Sequence, residues 1–189
     1  MKDTLFFKQA ELILRVIPHV AAETAFALKG GTAINLFVRD MPRLSVDIDL
    51  TYLPIEPRDT SLQNISNGLQ RIAHSIRRAI PGARARESYG KESGNVLKLF
   101  VSTPNVQIKI EPNTTIRGTV FPPAERDLCQ KAEEFFELSA SIHTLSLADL
   151  YGGKMCAALD RQHPRDLFDI KVLLDHEGIT DEIRRAFVA

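Results

Sequence analysis

The chain has 189 residues, 24 Lys plus Arg against 24 Asp plus Glu, and a formal net charge of zero at pH 7. With 44% hydrophobic and 25% charged residues it has the make-up of a soluble globular protein, long enough for one large domain or two small ones. The composition excludes an overall basic field that recruits nucleic acid, a membrane-spanning apolar run and a cleavable secretory pattern.

In chain order, Asp3 can cap a first helix whose apolar stripe is Leu5, Phe6, Ile13, Leu14 and Ile17, and Pro18 ends or kinks it. A short strand over 26–28 leads into Gly30-Gly31-Thr32, and a helix over 32–39 follows. The next strand, over 46–53, carries Asp47-Ile48-Asp49 and is stopped by Pro54 and Pro57. Carboxylates at i and i+2 of a strand point to one face, while Ile48 points the other way into a core. Two carboxylates held that close repel each other unless a cation sits between them, and hard oxygen ligands suit Mg²⁺ or Mn²⁺. A Gly-Gly turn that opens a helix offers phosphate its backbone N–H groups with no side chain in the way. Together the two motifs read as a metal–nucleotide site.

A long amphipathic helix over 61–80 carries Leu62, Ile65, Leu69, Ile72, Ile76 and Ile80. Arg71, Arg77, Arg78, Arg84 and Arg86 form a local basic run, expected to be a solvated helix face before an RNA contact. Strands over 95–102 and 105–111 are separated by Thr103-Pro104. In the second, Val106, Ile108 and Ile110 alternate with Gln107, Lys109 and Glu111, so Glu111 stands beside Lys109 on the polar face. The stretch 113–128, with Pro122 and Pro123 adjacent, reads as a loop or lid, and 129–138 as a short helix feeding a short strand into Ile142. Cys129 and Cys156 are too few and too far apart for a disulfide framework or a zinc site; both are expected to be reduced thiols, Cys156 on a packed helix face. Ser146-Leu147-Ala148-Asp149 starts a helix that runs to about 160. Gly152 and Gly153 inside it each cost about 1 kcal/mol against alanine, which implies a close approach, of a packed helix before a nucleotide. Pro164-Arg165-Asp166 opens a further, strongly apolar helix with an acid near the positive end of its dipole.

The run Leu28-Lys29-Gly30-Gly31-Thr32-Ala33-Ile34-Asn35-Leu36, followed by Arg43-Leu44-Ser45-Val46-Asp47-Ile48-Asp49-Leu50, resembles the AbiEii/AbiGii group of nucleotidyltransferases, toxins of type IV toxin–antitoxin systems. Thr32 stands where the group usually has serine and keeps the hydroxyl. Lys154 and Arg165-Asp166-Leu167-Phe168-Asp169 resemble the group's helical lysine and its Arg-Asp-x-x-Asp element, so the likeness runs from about 26 to 174. It implies an α+β, polymerase β-like fold: a mixed sheet flanked by helices over 1–145, then a helical portion over 146–189 that completes the cleft. The implied reaction transfers a nucleotide from an NTP to an acceptor hydroxyl and depends on Mg²⁺ or Mn²⁺. In that scheme Asp47 and Asp49 hold metal, and Glu111 completes the metal set or acts as general base. Gly30, Gly31 and Thr32 hold phosphates, Lys154 contacts the nucleotide, Asp166 is catalytic or orients the site, and Asp169 is an internal hydrogen-bond acceptor. The resemblance further implies an RNA acceptor (a tRNA 3′ end), a cognate antitoxin and a cytoplasmic location. The alternative of another class is an NTP-binding regulatory or interaction protein with weak or no catalysis. Members of the group usually continue into a longer helical part, so the apolar tail Ala186-Phe187-Val188-Ala189 suits either a short member or a chain truncated at its C-terminus.

Overall fold

The computed structural model describes residues 4–90 and 93–189. Helix α1 (Leu5–Ala21) is capped by Thr4, whose hydroxyl accepts from Phe7 N at 3.2 Å. The expected cap, Asp3, lies outside the described residues. Pro18 sits within α1 without ending it. Phe7, Ala10, Ile13, Leu14 and Ile17 form the buried stripe, whereas Leu5 and Phe6 are exposed. Phe7 anchors the first turn instead, because its ring finds Phe135 and Phe136 with centroids 5.4 and 5.0 Å away.

Strand β1 (Phe26–Lys29) runs directly into α2 (Gly30–Ala33), which widens to a π-helical turn over Ile34–Val38. After β2 (Asp47–Tyr52) come α3 (Arg58–Ala79), β3 (Arg84–Tyr89), β4 (Val96–Thr103) and β5 (Val106–Pro112). The chain continues through β6 (Ala124–Asp127), α4 (Gln130–Phe136), β7 (Ser141–Thr144), α5 (Leu147–Arg161), α6 (Pro164–His176) and α7 (Asp181–Val188). The strands form one mixed sheet in the order β3-β4-β5-β2-β1-β7-β6. The α+β class and the mixed sheet flanked by helices are therefore as the sequence implies.

Two strands depart from expectation. Arg71, Arg77 and Arg78 do lie on α3, but Arg84 and Arg86 belong to β3, an outer strand rather than a helix face. Within the stretch expected to be a loop, Ala124–Asp127 forms β6 and pairs antiparallel with β7 at the other edge.

Strand β2 lies inside the sheet, antiparallel to β1 and parallel to β5. Its Ile48 and Leu50 are fully buried, as are Ile110 of β5 and Leu99 and Val101 of β4. Helices α1 and α3 pack over that apolar face, and each such side chain contributes about 1.5–3 kcal/mol by leaving water. The alternation of the strands then forces Asp47, Asp49, Lys109 and Glu111 onto the opposite face.

Ser146 caps α5 by accepting from Asp149 N at 3.0 Å. The Asp149 carboxylate in turn accepts from Val120 N and Phe121 N at 2.9 and 3.0 Å, which ties down the preceding loop. A Cβ on Gly152 would stand 2.8 and 2.9 Å from Ala186 C and Phe187 N, so α7 backs directly onto α5 there. Gly153 meets no such neighbour. Both cysteines are free thiols; Cys156 lies on α5 but is exposed rather than packed. Among the described residues no helix is long and apolar enough to cross a membrane.

Candidate active site

A cleft of about 530 Å³ opens between the polar face of β2 and β5 and the helices α5 and α6. Gly30, Gly31, Asp47, Asp49, Glu111, Lys154 and Asp166 all line it. Gly30 has φ +71°, and a Cβ there would lie 2.7 Å from Asp49 Oδ2. Glycine is thus required twice over, for the backbone angle and for the carboxylate pressed against it. A Cβ on Gly31 would be 2.9 Å from Arg43 Nη2 and 3.0 Å from Ser45 Oγ, both ends of side chains.

Thr32 does not line the cleft. Its hydroxyl is buried, donates to the backbone carbonyl of Asp47 and is hydrogen-bonded to Ser45 Oγ at 3.0 Å. That hydroxyl fixes where β2 begins, and so where the first carboxylate stands.

The register brings opposite charges together. Lys29 lies opposite Asp49 on one side, and Glu111 lies beside it on the other. Burial and the neighbouring Asp47 charge push the Asp49 carboxyl above its ordinary range, against the pull of Lys109 and Lys29. Burial lowers the Lys29 ammonium, an effect that Asp49 opposes and Lys154 adds to. Burial would raise Glu111, but the hydrogen bonds from Lys109 and Lys98 outweigh it and leave the carboxyl below the usual value. One Glu111 oxygen takes Lys109 Nζ at 2.6 Å and the other takes Lys98.

These contacts decide how well the residues fit a divalent cation. Asp47 and Asp49 do fit: they offer hard oxygen donors on one face, and a cation would relieve the Asp47 repulsion that adds to burial in raising Asp49. Glu111, with an ammonium on each oxygen, is not drawn into a common ligand set with them. Among the described residues no group of three or more His, Cys, Asp or Glu side chains is arranged to hold a metal ion.

An ion network that forms part of the cleft wall ties its elements together. Lys154, only 6% exposed, lies 3.0 Å from both Asp166 Oδ1 and Asp169 Oδ2. Asp166 also accepts from Arg161 Nε at 2.7 Å and Nη2 at 3.1 Å. Burial alone would raise the Asp166 carboxyl, but Arg161 and Lys154 hold it down at about 2. Asp169 accepts from Arg43 at 2.9 and 2.6 Å and from Asn35 Nδ2 at 3.1 Å, so it is an internal acceptor. Asn35 Nδ2 also donates to Gly31 O at 2.9 Å, which connects the network to the glycine turn.

Several lining residues carry no role in the sequence reading: Lys29, Arg43, Ser45, Arg161 and His163. Lys29 had a signal, since it directly precedes the glycines and ends the strand that pairs with β2. Arg43 had none, because its partner Asp169 is 126 residues away.

The family model for the nucleotidyl transferase AbiEii toxin of type IV toxin–antitoxin systems matches residues 12–189. No curated protein sequence matches the chain. Among solved structures, the nucleotidyltransferase toxin MenT4 of Mycobacterium tuberculosis H37Rv superposes with TM-score 0.67 at 16% identity, covering 95% of this chain and 64% of its own. The antibiotic-resistance factor ANT(2″)-Ia superposes with TM-score 0.52 at 14% identity, covering 95% of this chain and 91% of its own. At these identities the likeness concerns the fold. The chain spans 64% of the length of the MenT4 chain.

Proposed function

We propose that this chain, which belongs to the AbiEii family of nucleotidyl transferase toxins, transfers a nucleotide from an NTP to an acceptor hydroxyl in a reaction that needs Mg²⁺ or Mn²⁺. The hydroxyl attacks the α-phosphate in line, the new P–O bond forms, and pyrophosphate leaves as the old one breaks. The observation that carries the reading is the close approach of Asp49 to Gly30: a Cβ on that glycine would stand 2.7 Å from Asp49 Oδ2, so the turn suited to phosphate and a carboxylate suited to metal lie side by side.

Asp47 and Asp49 would hold the cation, which when bound acidifies the acceptor hydroxyl and neutralises triphosphate charge. Gly30 and Gly31 leave the end of β1 open to phosphate oxygens, and Lys29 beside them supplies positive charge in a poorly solvated place. Glu111 would join Asp47 and Asp49 as a ligand only on release of its oxygens by Lys98 and Lys109, which hold both of them here. Lys98 and Lys109, once released, would supply positive charge to phosphate or acceptor. Asp166 and Asp169 orient Lys154 and, through Arg43 and Asn35, the glycine turn. We read residues 146–189 as the helical portion that closes the cleft over the core of 1–145. An RNA 3′ end as acceptor, a cognate antitoxin as partner and a cytoplasmic setting follow from the family and belong to the same proposal.

Incubation with each labelled NTP, Mg²⁺ and total RNA tests it. Label on RNA is expected with wild-type protein and not with Asp49→Asn, which should retain a melting temperature equal to or above wild type because a repelling charge is gone. Wild-type-like labelling by Asp49→Asn would overturn the assignment. NTP binding with no labelled product of any kind would favour a nucleotide-binding regulator instead.

A further inference from the structure

We propose that the uncovered face of β3, β4 and β5 seats a single-stranded RNA acceptor, led across Arg86, Phe100 and Lys109 to the carboxylates of β2. The proposal rests on the transferase reading above and adds to it the surface that takes the acceptor.

The register of four adjacent strands builds this surface. Arg86 lies opposite Phe100, Phe100 opposite Lys109, and Lys109 opposite Asp47, so the four form one row across the sheet. Three inter-strand spacings put the row at about 14 Å from end to end. Ala85, Val101 and Ile108, one residue out of phase, are buried under α1 and α3, so the row faces the other way. The Arg86 guanidinium lies 5.0 Å from the centroid of the Phe100 ring. A guanidinium paired with an aromatic ring offers a nucleobase both a π face and a positive charge to stack against.

Charge selects the partner. Arg84 and Arg86 are exposed, and among the described residues no carboxylate pairs with either. Their neighbour Glu87 turns to the helix side, where it takes Arg77 at 3.0 Å. The far end of the row is thus cationic and the near end carries the reacting carboxylates. A polycationic acceptor is repelled there, and a small neutral one spans too little of the row to use it. A polyanionic strand with stackable bases satisfies both the arginines and the Arg86–Phe100 plane. Because the chain as a whole is neutral, such binding comes from this row and not from a general field. An acidic polypeptide would answer the charges but leave the aromatic plane unused.

The test is binding of a fluorescently labelled single-stranded RNA octamer to the full chain at several salt concentrations, with Mg-NTP binding measured separately. Arg84→Glu/Arg86→Glu is expected to weaken octamer binding at least tenfold and to flatten its salt dependence by about two counterions. Phe100→Leu, which keeps apolar bulk but removes the ring, is expected to weaken it about fivefold or more. Both variants should bind Mg-NTP within twofold of wild type. Unchanged octamer binding by the charge-reversed variant overturns the proposal. So does displacement of the octamer by poly-glutamate together with an unaffected Phe100→Leu, which would make the face a site for an acidic polypeptide. Octamer binding needs no turnover, so absence of transfer by the wild type counts against the transferase reading alone.

Discussion

Lys154 is the residue at which a nucleotide contact and a structural role can be told apart. Lys154→Met removes an ammonium that lies 3.0 Å from Asp166 and 3.0 Å from Asp169, all three nearly inaccessible to water. Breaking a buried pair by deleting one partner costs about 3–5 kcal/mol. Here each carboxylate keeps an arginine, Arg161 on Asp166 and Arg43 on Asp169. Arg161 is 61% exposed, so its compensation is screened by solvent. A loss of about 3 kcal/mol is therefore expected, which in a chain of this size lowers the melting temperature by about 6–12 °C. Differential scanning fluorimetry gives that shift, and nucleotide titration at a temperature where the variant is folded gives the affinity. The double variant Lys154→Met/Asp166→Asn should lose less stability than its two single changes added together, since the pair is coupled. A melting temperature within 2 °C of wild type, combined with collapse of NTP binding, would refute the reasoning: the ammonium would then serve the ligand and not the network.

Two further predictions follow from the same geometry. The Asp166 carboxyl is held at about 2, below its ordinary 3.8, so its contribution is fully present above about pH 4 and is lost as pH falls through its folded value. Urea titrations at pH 5 and pH 2.5 should show a component of about 2 kcal/mol that Asp166→Asn abolishes; an unchanged difference in the variant would assign the acid sensitivity elsewhere. Gly30 and Gly82 both have positive φ, at +71° and +74°, but only Gly30 has a carboxylate against it. Alanine at either should cost about 1 kcal/mol of backbone strain, while only Gly30→Ala should abolish Mg²⁺-dependent nucleotide binding; equal binding by the two variants would detach the turn from the carboxylates.

What could be read from the chain beforehand follows the range of the interaction involved. The Asp47/Asp49 face, the position of Glu111 and the Ser146 cap are set by periods of two residues or by contacts three residues apart, and these are visible in a linear string. Strand β3 escaped because Arg84, Arg86 and Glu87 carry little apolar alternation; its pairing partner β4 makes it a strand. Strand β6 follows two prolines and has four residues, too few to show a period. The hydroxyl of Thr32 gives no local sign of its partners, Asp47 O and Ser45, which lie 15 and 13 residues on and hold it away from the cleft. No local signal links Asn35, Arg43, Lys154 and Asp169, whose contacts span up to 134 residues.

The place of β2 in the sheet also governs how the molecule breathes. Its amides are paired to β1 on one side and β5 on the other, and Ile48 between the carboxylates and Leu50 after them are wholly buried. Amides in such a strand exchange with solvent deuterium only through openings that approach global unfolding, whereas strands at a sheet edge exchange through local fraying. The aspartates therefore belong to the part of the molecule that lets go last. β3, whose outer side meets no further strand among the described residues, belongs to the part that lets go early. The spacing of the two carboxylates is set inside the sheet and survives fluctuations that loosen the edge beside it.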